Sequence, residues 1–193
     1  MFDRLLMPYL QRIENLDALV SLEELWLGKN KIAKLEVRLP LTVSINARLI
    51  PSPQNLDSLV NLRILSIQSN RITTLENLDA LSNLEELYIS HNGIDKLQGL
   101  SHNLKLRTLD VGGNRIAALE NISHLSELEE LWANSNNIPD LGGLQRECQH
   151  LAQLQTVYFE HNPAQRSDMV GYRRKIMLAL PQIKQIDATF ART

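Results

Sequence analysis

Six segments of this chain share one wording, and the distance between them is nearly constant. They are Leu22–Asn30 (LEELWLGKN), Leu62–Asn70 (LRILSIQSN), Leu84–Asn92 (LEELYISHN), Leu106–Asn114 (LRTLDVGGN), Leu128–Asn136 (LEELWANSN) and Gln155–Asn162 (QTVYFEHN, preceded by Leu154). From one closing Asn to the next, the steps 70→92, 92→114 and 114→136 are 22 residues each, 136→162 is 26 and 30→70 is 40. One such match could arise by chance, but six at this spacing could not.

A period of ~20–29 residues carrying L-x-x-L-x-L-x-x-N marks a leucine-rich repeat. The expected fold is an α/β solenoid with a concave parallel β-sheet and a C-terminal cap helix. In each repeat L-x-L is a short strand, its leucines inward and the residue between them outward. One repeat cannot bury its apolar face; stacked repeats bury it against each other. The closing Asn lies where the chain turns inward, and its amide can satisfy turn backbone that would otherwise be buried unpaired.

The chain divides into an irregular segment at 1–12, repeats over 13–163 and a cap over 164–193. Residues 1–12 start in mid-repeat and read as the improvised end of a shortened array. Ile13–Leu19 (IENLDAL) matches Leu75–Leu81 (LENLDAL), the tail of a repeat. Residues 37–54 break the pattern, with three of the seven prolines, two arginines and no acid. Deleting these 18 residues restores the 22-residue step and the repeat wording, so the segment reads as an inserted loop, with a translated intron favoured over the alternative of a functional binding loop. Sequencing the transcript tests this: a message that always retains the segment, in several related genes, would reject it. The longer repeat after Asn136, with Gly142-Gly143 and a polar run over Gln145–Gln153, predicts an extended helix on the convex side. The cap helix is expected around Tyr172–Leu180 and ends at Pro181.

At 193 residues the chain is long enough for a sizeable core, and a net charge of −2 excludes general affinity for nucleic acid or anionic membrane. Its one cysteine, Cys148, cannot form an internal disulfide, which favours a reducing, intracellular setting. No apolar run approaches the ~20 residues of a membrane span, and the N-terminus lacks the form of a secretory signal. The five histidines show no metal-ligand pairing, and neither phosphate-binding nor nucleophile-elbow motifs occur. The expectation is a protein without enzymatic activity, metal or cofactor. His91 and His161, beside the closing Asn, read as turn residues. The basic excess of the cap, six cationic residues against two acidic, reads as the solvated face of a capping helix.

The informative positions lie between the inward leucines: Trp26, Ser66, Tyr88, Asp110, Trp132 and Tyr158. This column takes both tryptophans and two of the four tyrosines. Glu24, Glu86, Glu130 and Glu160 flank it. Strands ~4.8 Å apart stretch six positions over about 24 Å. Four aromatics can bury roughly 600–1,000 Å², comparable with the ~800 Å² each partner contributes to a standard interface. Aromatics ringed by acids fit a protein partner with a basic surface. The assigned protein-binding residues are Trp26, Tyr88, Asp110, Glu130, Trp132 and Tyr158.

The wording LWLGKNKI, LSIQSNRIT, LYISHNGI and LDVGGNRI, the link ENISHLSELEELW and the ending YRRKIMLALPQIKQIDATF resemble one family closely. It is the protein phosphatase 1 regulatory subunit 7 family, which this chain resembles in N-terminally shortened form over about 13–36 and 55–192. The resemblance implies a non-catalytic regulator whose concave face holds the phosphatase catalytic subunit. It also implies a role in phosphatase maturation, targeting and mitotic chromosome segregation, in nucleus and cytoplasm. The family's contact positions fall here on Trp26, Asp110, Glu130, Trp132 and Tyr158; Tyr88 is added on geometry alone. No direct nucleic-acid or membrane partner is expected, and the chain is expected to be monomeric apart from its partner. The alternative is a repeat scaffold in a ribonucleoprotein or cytoskeletal assembly.

Overall fold

The computed structural model describes residues 10–13, 16, 18–35 and 56–191. The 37–54 insertion and most of the 1–12 segment lie outside the described residues. Each L-x-L becomes a three-residue strand: β1 (Glu24–Trp26), β2 (Ile64–Ser66), β3 (Glu86–Tyr88), β4 (Thr108–Asp110), β5 (Glu130–Trp132) and β6 (Thr156–Tyr158). β1 to β6 pair in chain order, all parallel. The fold is the leucine-rich-repeat solenoid the period predicts.

The interior is a stack of aliphatic rungs. Leu25, Leu65, Leu87, Leu109, Leu131 and Val157 sit in register on the buried side of successive strands. On the convex side the leucines come every third residue. Leu81 N–H donates to Leu78 O and Leu84 N–H to Leu81 O, and the same spacing recurs at 56/59/62, 100/103/106 and 122/125/128. A chain that turns back every three residues points each third side chain inward, so little convex backbone closes a 22-residue coil. Asn103 replaces leucine in this series and is fully buried, with its amide donating to Leu78 O and Leu81 O at 3.0 Å.

The closing asparagines form a second spine. Asn136 is typical: its Oδ1 accepts from Ile116 N–H at 3.0 Å, and its Nδ2 donates to Val111 O at 3.0 Å and Ala133 O at 3.2 Å. Asn70, Asn92, Asn114 and Asn162 repeat this bracket between consecutive coils. At the N-terminal end Asn30 accepts from Leu10 N–H at 2.8 Å, so the described part of the first segment takes the place of a preceding coil.

The residue before each Asn is left-handed: Lys29, Ser69, His91, Gly113, Ser135 and His161 have φ between 54° and 63°. This conformation costs a non-glycine residue on the order of 1 kcal/mol. It is offset by backbone pairing with the next coil, as in His91 N–H to Gly112 O at 2.9 Å and Ser135 N–H to Glu160 O at 2.8 Å. His161 N–H instead meets Gln165 Oε1 at 2.8 Å. The two histidines therefore serve the turn through their backbone.

The four extra residues of the long repeat are absorbed by α1 (Gly142–Cys148). α2 (Pro163–Ser167) follows Asn162, with proline in its first turn, where a missing N–H costs nothing. α3 (Tyr172–Ala179) buries Tyr172 and Ile176, and Leu180, Ile183 and Ile186 complete the seal. The sheet then continues in a way the repeat pattern does not predict. β7 (Gln185–Ile186) pairs parallel with β6, and β8 (Thr189–Phe190) folds back antiparallel on β7. The Arg173 guanidinium donates to Ile186 O at 2.8 Å and Phe190 O at 2.9 Å, occupying carbonyls at this last edge.

Cys148 is fully buried, and desolvation, with Glu147 beside it, pushes its thiol up to about 12. A raised folded-state value means that the stability from burying the neutral thiol is complete below the unfolded thiol's pKa. It is lost as pH rises toward about 12. Native protein at pH 8 is therefore expected to resist iodoacetamide, and urea-unfolded protein to take up one equivalent by intact mass. Rapid native labelling would show that this end of the core opens.

Candidate protein-binding face

The outward positions named from the sequence do form one column. Trp26 is registered with Ser66, Ser66 with Tyr88, Tyr88 with Asp110, Asp110 with Trp132 and Trp132 with Tyr158. The four rings are half-buried, each with one side on the sheet. Register alone places them there, because a parallel ladder without slippage carries position i of each coil onto the same row.

The rungs alternate. At the first, third and fifth the strand reads Glu-Leu-aromatic, and the glutamate clamps its own ring. Trp26 Nε1–H donates to Glu24 at 3.0 Å, Tyr88 O–H to Glu86 at 2.8 Å and Trp132 Nε1–H to Glu130 at 3.0 Å. Two residues apart on a strand means the same face, so ring and carboxylate stand side by side. Tyr158 has Thr156 at that position, and its hydroxyl accepts from Gln185 Nε2 at 2.9 Å. The second and fourth rungs carry the small residues Ser66 and Asp110.

Trp132 links the rings into an arch. Its centroid lies 6.3 Å from Tyr88, nearly edge-on, and 5.4 Å from Tyr158, tilted. Such edge and tilted pairs are each worth ~0.5–1.5 kcal/mol beyond area burial, so the three rings are ordered before any partner arrives. Desolvation, then the bond to Glu86 and its charge, hold the Tyr88 phenol well above its ordinary pKa, so it remains a donor.

Asp110 does not sit as the sequence places it. It is only 5% exposed, because Tyr88 and Trp132, on the strands either side, meet above it. Its carboxylate accepts from Gly112 N–H at 3.0 Å and from Gln68 Nε2 at 3.2 Å. In the free protein Asp110 is the floor of the arch and its negative charge lies under the rings. Ser66, 2% exposed, is the equivalent floor between Trp26 and Tyr88. Glu160 does not clamp a ring; its N–H bonds Asp187 Oδ1 at 3.1 Å.

One feature of this face went unread in the sequence, although its 22-residue period is there to see. Where the chain enters the strands, Arg63 pairs with both oxygens of Glu85 through bonds of 2.9 and 2.8 Å, and Arg107 brings its Nε and Nη2 together onto one oxygen of Glu129. Solvent screens exposed pairs of this kind, so they add little to stability, but they change the charge of the face. The Arg63 bond holds Glu85 below the usual carboxylate range. Two carboxylates of the Glu-Glu steps are thus neutralised, and Glu24, Glu86 and Glu130 remain as negative charges beside the rings. Among the described residues no group of three or more His, Cys, Asp or Glu could hold a metal ion. No described helix is long and apolar enough to cross a membrane.

Comparison with known proteins agrees with this architecture. The family described as Leucine Rich repeats (2 copies) matches residues 60–102, and the single Leucine Rich repeat family matches 102–118. Protein phosphatase 1 regulatory subunit 7 of Xenopus tropicalis is 67% identical over 39 residues, which is 20% of this chain and 11% of that protein. The Homo sapiens protein of that name is 62% identical over 39 residues, covering 20% and 10%. Protein phosphatase 1 regulatory subunit SDS22 of Schizosaccharomyces pombe is 54% identical over 43 residues, covering 22% and 13%. This is a leucine-rich-repeat chain similar to regulatory subunits of protein phosphatase 1. The matched stretch of this leucine-rich-repeat chain spans about a tenth of those relatives' length, and is shorter than the resemblance read from the repeats and the cap. Among solved structures, an internalin of Listeria monocytogenes (TM-score 0.66, 22% identity, 94% of this chain and 48% of that one) shares the fold. The Drosophila melanogaster SNF/U2A′ complex contains a chain with TM-score 0.59 and 26% identity over 65% of this chain and 72% of that one.

Proposed function

We propose that this chain is a non-catalytic regulatory subunit that binds the catalytic subunit of protein phosphatase 1 across its concave aromatic and acidic face. The observation that carries the reading is the single registered row that holds Trp26, Tyr88, Trp132 and Tyr158, with Ser66 and Asp110 as the small rungs between them. Three of these rings have their polar edge held by a glutamate of the same strand. A pre-ordered aromatic patch loses little side-chain entropy on binding, and the remaining carboxylates select a basic partner surface. The names of the relatives support the phosphatase catalytic subunit as that partner. A part in phosphatase maturation and targeting and in mitotic chromosome segregation, in nucleus and cytoplasm, follows from the same resemblance and belongs to this proposal.

Purified chain is expected to retain the phosphatase catalytic subunit on a column, and the Trp132→Ala/Glu130→Ala double variant to lose it while keeping its circular dichroism spectrum. Retention unchanged by the double substitution would reject this face as the site. The similarity to the SNF/U2A′ structure favours a second reading, a scaffold in a ribonucleoprotein. Under it, the same column would retain an RNA-binding subunit and leave the phosphatase in the flow-through.

A further inference from the structure

One asparagine of the spine has a different neighbour from the rest. In the other coils the closing Asn is followed by Lys31, Arg71, Arg115, Asn137 or Pro163. After Asn92 comes Gly93, the one Asn-Gly step in the chain. Gly93 is not left-handed, and a Cβ there would meet Thr73 Cγ2 at 3.3 Å and Ile72 O at 3.5 Å. A small shift of Thr73 makes room for a side chain, so the backbone does not demand glycine at 93. What glycine changes is chemistry: without a Cβ beside it, the backbone nitrogen of residue 93 lies open to the Asn92 side chain.

The closed coils keep those two groups apart. Asn92 Nδ2 donates to Ile89 O at 3.0 Å, Ile67 O at 3.1 Å and Ser90 O at 3.2 Å, and its Oδ1 accepts from Ile72 N–H at 3.0 Å. Gly93 N–H donates to Ile72 O at 2.7 Å, so the nitrogen is engaged as well. Turning the amide carbon onto Gly93 N breaks these bonds. Those to Ile67 and Ile72 join the β2 coil to the β3 coil, which must therefore separate first.

We propose that Asn92–Gly93 is a self-modification site, silent in the closed solenoid and reactive when the β2 and β3 coils part. In the open chain Gly93 N attacks Asn92 Cγ and loses its proton to water. The Cγ–Nδ2 bond breaks and ammonia leaves, closing a five-membered succinimide. Water then cleaves one of the two bonds from the ring nitrogen to a carbonyl carbon. Cleavage at Cγ yields aspartate; cleavage at the residue 92 backbone carbonyl yields isoaspartate, whose main chain runs through Cβ. Neither product fits the spine. Aspartate sets a negative charge against Ile67 O, Ile89 O and Ser90 O. Isoaspartate adds an atom to a main chain pinned just beyond it, by Gly93 N–H to Ile72 O and Ile94 N–H to Asn114 Oδ1. A brief opening is thereby made permanent in mid-array, where each coil depends on its neighbours.

The full chain, held native or unfolded in urea at one mildly alkaline pH, is digested at intervals and its asparagine peptides are followed by mass spectrometry. In urea Asn92 is expected to convert about tenfold or more faster than Asn70 and Asn114, whose following arginines screen the nitrogen with a Cβ. In native chain its conversion should fall about a hundredfold or more, because only the open population reacts. Gly93→Ala and Gly93→Arg should each slow conversion in urea to near the rate at Asn70, a readout that does not require either variant to fold. Converted chain, separated and returned to buffer, should melt lower than unconverted chain from the same sample. The inference is overturned if native and unfolded chains convert Asn92 equally fast, or if Asn92 converts no faster than Asn70 in urea. It is equally overturned if converted chain regains the parent melt. The concave face takes no part in these measurements, so their outcome is independent of the phosphatase reading.

Discussion

Asn136→Ala is expected to lower the unfolding free energy by about 3–5 kcal/mol, the largest effect of any polar substitution proposed for this chain. The side chain ties two consecutive coils together: its Oδ1 accepts from Ile116 N–H, and its Nδ2 shares its two hydrogens among Val111 O, Ala133 O and Asn134 O. The carbonyls are partly insured, because Val111 O also accepts from Asn114 and Ala133 O from Asn162. Ile116 N–H is the group left stranded. An unpaired buried N–H costs ~1–3 kcal/mol, and each net bond lost adds ~1. Asn136→Asp should be no milder, since it keeps the acceptor but sets a buried negative charge against the three carbonyl oxygens of Val111, Ala133 and Asn134. The contrast is Asn137→Ala, one residue on, whose exposed amide reaches Arg115 O at only 3.5 Å; it should cost under ~0.5 kcal/mol. Thermal melts are the measurement. With ~2–4 °C per kcal/mol for a chain of this size, the Asn136 variant should melt about 10 °C lower. Its transition should also broaden, because a break in mid-array uncouples the coils on either side. A melt that matches Asn137→Ala would show that the asparagine spine is incidental.

That spine, the strands and the order of the column are all readable as a period, since each depends on one residue recurring every 22 positions. What depends on neighbouring coils meeting is not readable in the same way. Asp110 looks identical to Trp132 by position, yet it is covered because two rings that flank it are long enough to meet. The β7–β8 hairpin has only two residues per strand and no asparagine–glycine turn. Asp187, with φ 53°, makes the bend, and its Oδ1 accepts from Phe159 N–H and Glu160 N–H, in place of the backbone carbonyl of the next strand that serves on earlier rungs, as Tyr158 O does for Ala133 N–H. The left-handed turn residues are mostly not glycine, so no turn signature marks them; the coil that follows stabilises them. The Arg63–Glu85 and Arg107–Glu129 pairs follow the same 22-residue period, one position before each strand, and so are legible in the sequence. The proline after Asn162 could likewise have announced α2.

Trp132→Ala is expected to weaken binding of the phosphatase catalytic subunit by about 30- to 1,000-fold, or ~2–4 kcal/mol, the range of an aromatic hot spot. Area alone would not give so much. Trp132 is the central ring of the arch, in contact with Tyr88 on one side and Tyr158 on the other. Removing it leaves both tyrosines with more rotamers to lose on binding and opens the rung where Asp110 is buried, inviting water onto the floor. Trp132→Phe separates the parts of this argument. It preserves a ring between the tyrosines but deletes the Nε1–H bond to Glu130, so a loss of about tenfold is expected, near the ~1.5 kcal/mol of a charge-assisted bond. Glu130→Gln keeps an acceptor for that N–H while removing the charge. If Glu130 acts mainly by holding the ring, Gln should bind nearly as well as Glu and far better than Ala. If it acts mainly by meeting a basic residue of the partner, Gln and Ala should be equally poor and the salt dependence of the parent should fall in both. Titration calorimetry of the four variants, with melts to show the solenoid intact, makes the distinction. An alanine at 132 that binds within threefold of the parent would mean the partner does not rest on the arch at all.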